Sequence, residues 1–279
     1  MKCYIVIPAH NEEAHLATTL NSLANQTLLP SKILVVNDHS TDNTQSIIAD
    51  FSKRFDFISG TTISSGEDHT PGTKVVEAFY KGFSLLDEEY DIICKFDADL
   101  EFPLDYLEKI VAVFKEHPKI GMAGGFCTIK KESGWVREEL TGKDHIRGAL
   151  KAYRKECFEQ IGGIEKAMGW DTIDELLAQF HGWKVQTVPE LEVKHLKPTG
   201  TAYASKAGKL QGTAFRRMRY GFILTSIASA KLAFRKGNIG YFFDCIKGYL
   251  KDDSDYLVTP EAGKFIRKLR WKKIWKKLF

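Results

Sequence analysis

Apolar positions along the first half of the chain fall into two kinds of run. Short ones, "CYIVIPA" from Cys3, "KILVVND" from Lys32 and "DIICKFD" from Asp91, suit parallel strands covered on both faces. Between them stand longer amphipathic segments, "EEAHLATTLNSLANQ", "DNTQSIIADFSKRF" and "VVEAFYKGFSLL", which predict helices. A further helix over "LDYLEKIVAVFKEHP", stopped by Pro118, and a strand over "IGMAGGFCTI" continue the rhythm. This βα alternation predicts an α/β fold built on a doubly wound, mostly parallel, Rossmann-like sheet. After about residue 130 the rhythm loosens into the Gly-rich "CFEQIGGI", a helix-like "TIDELLAQFHGW" and a strand over "KVQTVPELEVKHL". From residue 205 the segments read as helical and basic, so the expected division is a 1–200 domain and a 201–279 helical extension.

Charge sharpens that division. From residue 205 onward there are 18 Lys and Arg against 5 Asp and Glu, whereas residues 1–204 carry 22 against 31. A basic extension on an acidic domain points to an anionic partner, membrane lipid or nucleic acid. Read as a helix, "WKKIWKKLF" gathers Trp271, Ile274, Trp275, Leu278 and Phe279 within an arc of about 140°, lysines opposite, which is the pattern of an interfacial anchor. Apolar and basic residues segregate there instead of interleaving, which favours lipid over nucleic acid. The competing reading is a helix packed on the domain with a solvated basic side. The N-terminal apolar stretch is too short for a signal peptide, and the longest uncharged stretch falls well short of a membrane span. Five scattered cysteines without Cys-x-x-Cys spacing predict reduced thiols and a cytoplasmic protein, which the basic aromatic tail would place at the inner face of the membrane.

Candidate chemistry collects where strands end. "DIICKFDADLEFP" closes a buried strand on Asp97 and Asp99. In extended chain such a pair projects from one side, roughly 6.5 to 7 Å apart, and its repulsion calls for a cation; the plainer reading is an acidic turn. The loops "PAHNEE" (8–13), "NDHSTDN" (37–43) and "DADL" (97–100) all follow predicted strands and should converge at one sheet edge. Asn11, Glu12 and Asp38 offer acceptors to a nucleoside, whereas Thr41 or Asp42 suit helix capping. No Gly-x-Gly-x-x-Gly follows the first strand, and "GEDHTPGTK" fails as a P-loop because Lys74 is not adjacent to Gly72.

Taken in order, "YIVIPAHNEEAHLATTLNSLANQT", "ILVVNDHSTDNT", "FDADLEFP" and "GWDTIDELLAQFHGW" resemble the family 2 glycosyltransferases of the GT-A fold, over roughly residues 3 to 200. The resemblance implies transfer of a sugar from a nucleoside-diphosphate sugar, with UDP the expected nucleotide, to an acceptor hydroxyl, with inversion and a divalent metal, Mn²⁺ or Mg²⁺. It puts Pro8, Ala9, Asn11 and Glu12 around the nucleoside, Asp38 on the base and Asp97 near the ribose. Asp99 becomes a metal ligand, with His195 completing the metal site. Asp171 takes the position of the catalytic base, with Asp174 three residues on facing the same way. Two positions depart from the family's commonest pattern: Asn37 stands where an Asp is usual, and Trp170 where a Glu is. A capping role for Asp171 or Thr172, with Glu175 closing a capping box, competes with the base.

"KDHIRGALKAYRKECFEQIGG" resembles the acceptor-side segment, where Gly148 allows close backbone approach and Arg154 serves phosphate or fold. The expected acceptor is lipid-linked or part of a surface glycan. Two other classes compete with this reading. A sugar nucleotidyltransferase needs an N-terminal Gly-rich triphosphate loop followed by Arg and Lys, and "PAHNEE" is neither; the other is a non-catalytic protein that binds nucleotide or membrane.

Overall fold

The computed structural model describes residues 1–64, 72–138, 144–197 and 207–278, with side chains as far as residue 276. Its first part runs β1 (Cys3–Ala9), α1 (Leu16–Ala24), β2 (Lys32–Asp38), α2 (Thr44–Arg54), β3 (Ile58–Ile63), α3 (Thr73–Phe83), β4 (Ile92–Phe96), β5 (Leu100–Glu101) and α4 (Tyr106–Glu116). It continues with β6 (Ile120–Lys131), β7 (Gly134–Arg137), β8 (Leu150–Arg154), α5 (Lys155–Gln160), α6 (Trp170–Phe180) and β9 (Lys184–His195). Four helices follow: α7 (Ala207–Arg217), α8 (Phe222–Arg235), α9 (Ile239–Lys251) and α10 (Pro260–Leu278).

The strands form one sheet in the order β3-β2-β1-β4-β8-β6-β9-β5, with β7 on the flank of β6. The predicted alternation holds as a parallel run: β1 pairs β2 and β4, and β2 pairs β3, all parallel. Beyond β4 the sheet turns mixed, because β8 inserts antiparallel between β4 and β6, while β6 and β9 are parallel. The α/β expectation is met, with the helical C-terminal part present. β3 escapes sequence reading because it is an edge strand, one face open to water, with only Ile58 buried in "ISGTTI".

A correction concerns the acidic pair. β4 ends at Phe96, and Asp97 to Asp99 form the turn that leads into the two-residue β5, so the pair does not lie in extended chain. Pro103 stands three residues before α4.

The main core covers the sheet, from Ile5, Val35 and Phe79 to Tyr106 and Tyr153. A second core joins the two expected parts of the chain: Ile173 and Leu176 of α6 pack with Ala214, Phe215, Leu224 and Ile266 from α7, α8 and α10. The predicted boundary itself falls at 198–206, outside the described residues. All five cysteines are free and buried. Among the described residues no helix is long and apolar enough to cross a membrane.

The predicted anchor helix is partly spent on packing. Trp271 and Ile274 join the second core and Lys273 pairs with Asp144, while Trp275 stays exposed; the side chains of Leu278 and Phe279 lie outside the described residues.

Candidate active site

The loops after β1 and β2 are laced into one wall. The Asn11 amide donates to Ser40 Oγ at 2.9 Å and the Thr41 amide to Asn11 Oδ1 at 2.8 Å. The amides of Glu12 and Glu13 donate to Thr44 Oγ1 (2.8 Å) and Asp42 Oδ2 (3.0 Å). Asn11 and His39 both sit at φ 53, the left-handed region that Asn tolerates better than most residues. Asn11 therefore shapes the wall with its own carbonyl. Asn37 explains itself here as well: its Oδ1 accepts from the Ser40 amide at 3.0 Å while its Nδ2 donates to Gln45 at 2.7 Å. A carboxylate at that position would have nothing to donate. Asp42 caps α2 by accepting from the Thr44 amide at 3.0 Å, the role the sequence assigned to Thr41 or Asp42. Pro8 and Ala9 end β1, paired with Val36 and Asn37, and Asp38 is buried at the end of β2.

Facing this wall is the acidic turn. The pairing of β5 with β9 sets His195 opposite Leu100, and the Leu196 amide donates to the Asp99 carbonyl at 2.8 Å. His195 Nε2 thereby comes within 3.3 Å of Asp99 Oδ2. Asp97 is paired with Lys95, a lysine buried within β4. Burial alone would discourage ionisation of Asp97; Lys95, helped by His195 and Arg147, outweighs it and holds the carboxyl below the usual range. Burial pulls the His195 imidazole down, but Asp99 and then Asp97 lift it above its ordinary value. Glu12 sits by the same turn, bonded to Lys197 at 2.8 Å, and burial raises its carboxyl despite that lysine.

The donor set fits a divalent cation. One ligand atom each from Asp97, Asp99 and His195 lie within 4.8 Å of one another, and His195 Nδ1 is buried with no hydrogen-bond partner among the described residues. Two carboxylates and an imidazole suit Mn²⁺, or Mg²⁺ with more water in the shell. Cys127 and Glu138 also group with His195, but burial pushes the Cys127 thiol up to about 12, and Arg147 holds Glu138 at 2.6 Å. Neither is disposed to bind a metal.

Asp171 opens α6, whose N-cap is Gly169 at φ 79 with no side-chain cap bond, so the competing capping box does not form. Glu175 is used otherwise: it accepts from the Ile146 amide at 2.8 Å and lies 3.0 Å from His145 Nδ1. His145 Nε2 in turn lies 3.5 Å from Asp171 Oδ2. Burial works against both charges, yet the pairing wins: Asp171 falls to about 2 and His145 rises to about 9. Asp171 stands partly open to solvent as an ionised carboxylate aligned by an imidazolium.

Asp174 departs from expectation. Its side chain is 1% exposed and faces inward, bonded to Lys151 at 2.7 Å and Tyr153 Oη at 2.6 Å. Burial lifts its carboxyl to about 6 against the pull of Lys151. It does not share a face with Asp171; it anchors the helix that carries Asp171. Arg154 likewise serves the fold, donating to the carbonyls of Ile120 and Phe114.

Trp170 is boxed between two buried cations, Lys95 at 5.4 Å and Lys151 at 5.7 Å from its ring. A Cβ on Gly148 would meet that ring at 2.8 Å, so glycine there permits the approach expected of it. Sequence reading missed Lys95, His145 and Lys151, and gave Glu175 a capping role in place of its bond to Ile146 and His145. The lysines left a signal: each interrupts an apolar strand, "IICKF" and "LKAYR", where an unpaired charge cannot stay.

His145 makes a pH-dependent contribution. Its folded pKa of about 9 exceeds its ordinary 6.5, so its stabilisation, about 3 kcal/mol at most, is complete below pH 6.5 and lost as pH rises through 9. His145→Gln is expected to melt well below the parent in mildly acidic buffer, with the gap closing in alkaline buffer; a gap that stays constant with pH would contradict the pairing.

With this geometry in view, the likenesses to known proteins are informative. The chain is 36% identical over 193 residues to the "Probable glycosyltransferase YdaM" of Bacillus subtilis (strain 168), covering 61% of this chain and 45% of that one. It spans about half the length of the curated relatives it matches. In fold it is similar to mannosyltransferase PcManGT from Pyrobaculum calidifontis, solved with GDP-Man and Mn²⁺, at TM-score 0.61, 16% identity and coverage of 99% of this chain and 88% of that one. It is also similar to GalNAc-T7, solved with UDP, GalNAc and Mn²⁺, at TM-score 0.69, 15% identity and coverage of 100% and 57%. The model of "Glycosyl transferase family 2" matches residues 4–164, more than half the chain and including the laced loops and the acidic turn, and the chain belongs to that family.

Proposed function

We propose that this glycosyltransferase is metal-dependent and inverting, moving a sugar from a UDP-sugar to the hydroxyl of a glycan or lipid-linked acceptor. The observation that carries the reading is the convergence of Asp97, Asp99 and His195 on a space where their ligand atoms lie within 4.8 Å, below the wall that holds Asn11, Glu12 and Asp38. A divalent ion bound there would neutralise charge developing on the departing diphosphate. The histidine in the set favours Mn²⁺ over Mg²⁺. In this reading Asp97 is at the ribose and Asp38 at the base, as the resemblance implies.

Asp171 accepts the proton of the attacking hydroxyl while the sugar's anomeric carbon gains that oxygen and releases the nucleoside diphosphate, one bond forming as the other breaks. His145 keeps the carboxylate ionised and aimed. A purely nucleotide-binding protein has no use for that second carboxylate, which favours catalysis over binding alone.

We place the protein at the cytoplasmic face of a membrane, on the strength of its basic helical extension. The donor is tested by screening nucleotide sugars for thermal stabilisation with and without Mn²⁺. At a hundredfold excess over Kd a ligand adds about 2.7 kcal/mol, a rise of roughly 5 to 10 °C at about 2 to 4 °C per kcal/mol. The expected result is a rise with a UDP-sugar that needs Mn²⁺. A rise with GDP-sugars alone would overturn the choice of base, and a rise indifferent to metal would overturn the cation site.

A further inference from the structure

The helical extension hides an inverted pair of helices. On α8 the exposed residues Ile223, Ile227, Ala230 and Phe234 recur at i, i+4, i+7 and i+11. On α9 Ile239, Phe243, Ile246 and Leu250 recur at the same intervals, all exposed except the half-buried Ile246. At 100° per residue each stripe occupies an arc of about 60°. Each lies opposite its helix's buried side, Leu224, Ser229 and Ala233 on α8 and Tyr241, Cys245 and Gly248 on α9. Phe234 is 90% exposed and Ile239 72%. A water-facing helix carries polar residues at the centre of that face.

The inner sides are fixed too tightly to turn round. α9 lies directly on α7, where a Cβ on Gly212 would stand 1.8 Å from the Cys245 carbonyl oxygen and one on Gly248 would stand 2.0 Å from the Lys209 carbonyl oxygen. The α9 stripe is held outward by this backbone contact, while α8 buries its own inner side chains, Leu224, Ser229 and Ala233.

Charge says what they meet. Residues 222–251 carry five cations, Lys231, Arg235, Lys236, Lys247 and Lys251, against one acid, Asp244. On the helical wheel Lys231 borders the α8 stripe and Lys247 the α9 stripe. An apolar centre with lysines at its margin matches acyl chains beneath anionic headgroups. α10, by contrast, has given Trp271 and Ile274 to the core and Lys273 to Asp144.

We propose that the outward faces of α8 and α9 seat in the interface of an anionic lipid bilayer. This rests on the membrane-surface reading above and names the surface that performs it. Because α6, which carries Asp171, shares the second core with α7, α8 and α10, seating α8 and α9 fixes the active site's height and tilt over the lipid.

The test is co-sedimentation of the full chain with vesicles of mixed phosphatidylcholine and phosphatidylglycerol, against phosphatidylcholine alone. The wild type is compared with a Phe234→Ser, Phe243→Ser double variant and with Trp275→Ser. Both phenylalanines are exposed, so the melting temperature should not move. The expected result is binding that needs phosphatidylglycerol and weakens on the order of a hundredfold in the double variant but little in Trp275→Ser, the loss set by two phenyl groups withheld from lipid. Undiminished binding by the double variant would overturn the assignment to α8 and α9 while leaving the membrane reading intact. Failure of the wild type to bind either vesicle would overturn both. A wild-type dimer that the double variant dissolves would replace lipid with a second copy of the chain.

Discussion

Asp171→Asn is expected to lower kcat by about 10³-fold, within the range removed with a general base, while changing donor affinity only a few fold. The substitution keeps the shape of the side chain and removes its capacity to take a proton. His145 is left with Glu175 alone, so its pKa should fall from about 9. A carboxylate with pKa about 2 is a weak base in the ligand-free protein, and its value in catalysis lies in being fully ionised and held in place. Initial rates of nucleoside diphosphate release with saturating donor measure the effect. A variant retaining more than about a tenth of parental kcat would remove Asp171 from the chemistry.

Lys151→Met is expected to be the most damaging single change to stability, at about 3 to 5 kcal/mol. The lysine is wholly buried and bonded to Asp174 and Glu175, so its loss strands two carboxylates in the interior. At about 2 to 4 °C per kcal/mol the melting temperature falls by roughly 10 °C. The sign of the pH dependence follows from Asp174. With its folded pKa already raised to about 6, losing Lys151 raises it further, and the folded variant retains a proton that the unfolded chain gives up. The deficit against the parent should therefore shrink as the buffer is made acidic and grow toward neutral pH. Thermal melts across that window decide it; a deficit of under about 1 kcal/mol at neutral pH would mean the network carries little.

What the sequence made legible was local. Ile5 to Ile7, Ile33 to Val36 and Ile92 to Cys94 are unbroken apolar runs, and they became the parallel strands at the centre of the sheet. Loops that follow such strands must meet at one edge, so Asn11, Asp38, Asp97 and Asp99 could be grouped before any coordinates. What stayed hidden depends on partners far apart in sequence. Nothing within "KDHIRG" shows that His145 will stand between Asp171 and Glu175, nor does "WDTIDE" show that Asp174 turns inward to Lys151. Asp97 and Asp99 leave the extended geometry because β5 must pair with β9, a register set by the far end of the domain. The tail shows the opposite failure. The i, i+4, i+7, i+11 stripes of α8 and α9 were present in the sequence, but only the structure shows that their apolar sides face out while Trp271 and Ile274 of α10 face in.

Direct titration of Mn²⁺ by electron paramagnetic resonance, on the wild type and on Asp99→Asn, each with and without UDP, reaches the acidic turn without needing the acceptor. The ion and the nucleotide should bind cooperatively to the wild type, each tightening the other by about tenfold or more, and Asp99→Asn should lose both the ion and the coupling. Equal Mn²⁺ binding by Asp99→Asn, or UDP binding that ignores the ion, would contradict a cation held by Asp97, Asp99 and His195.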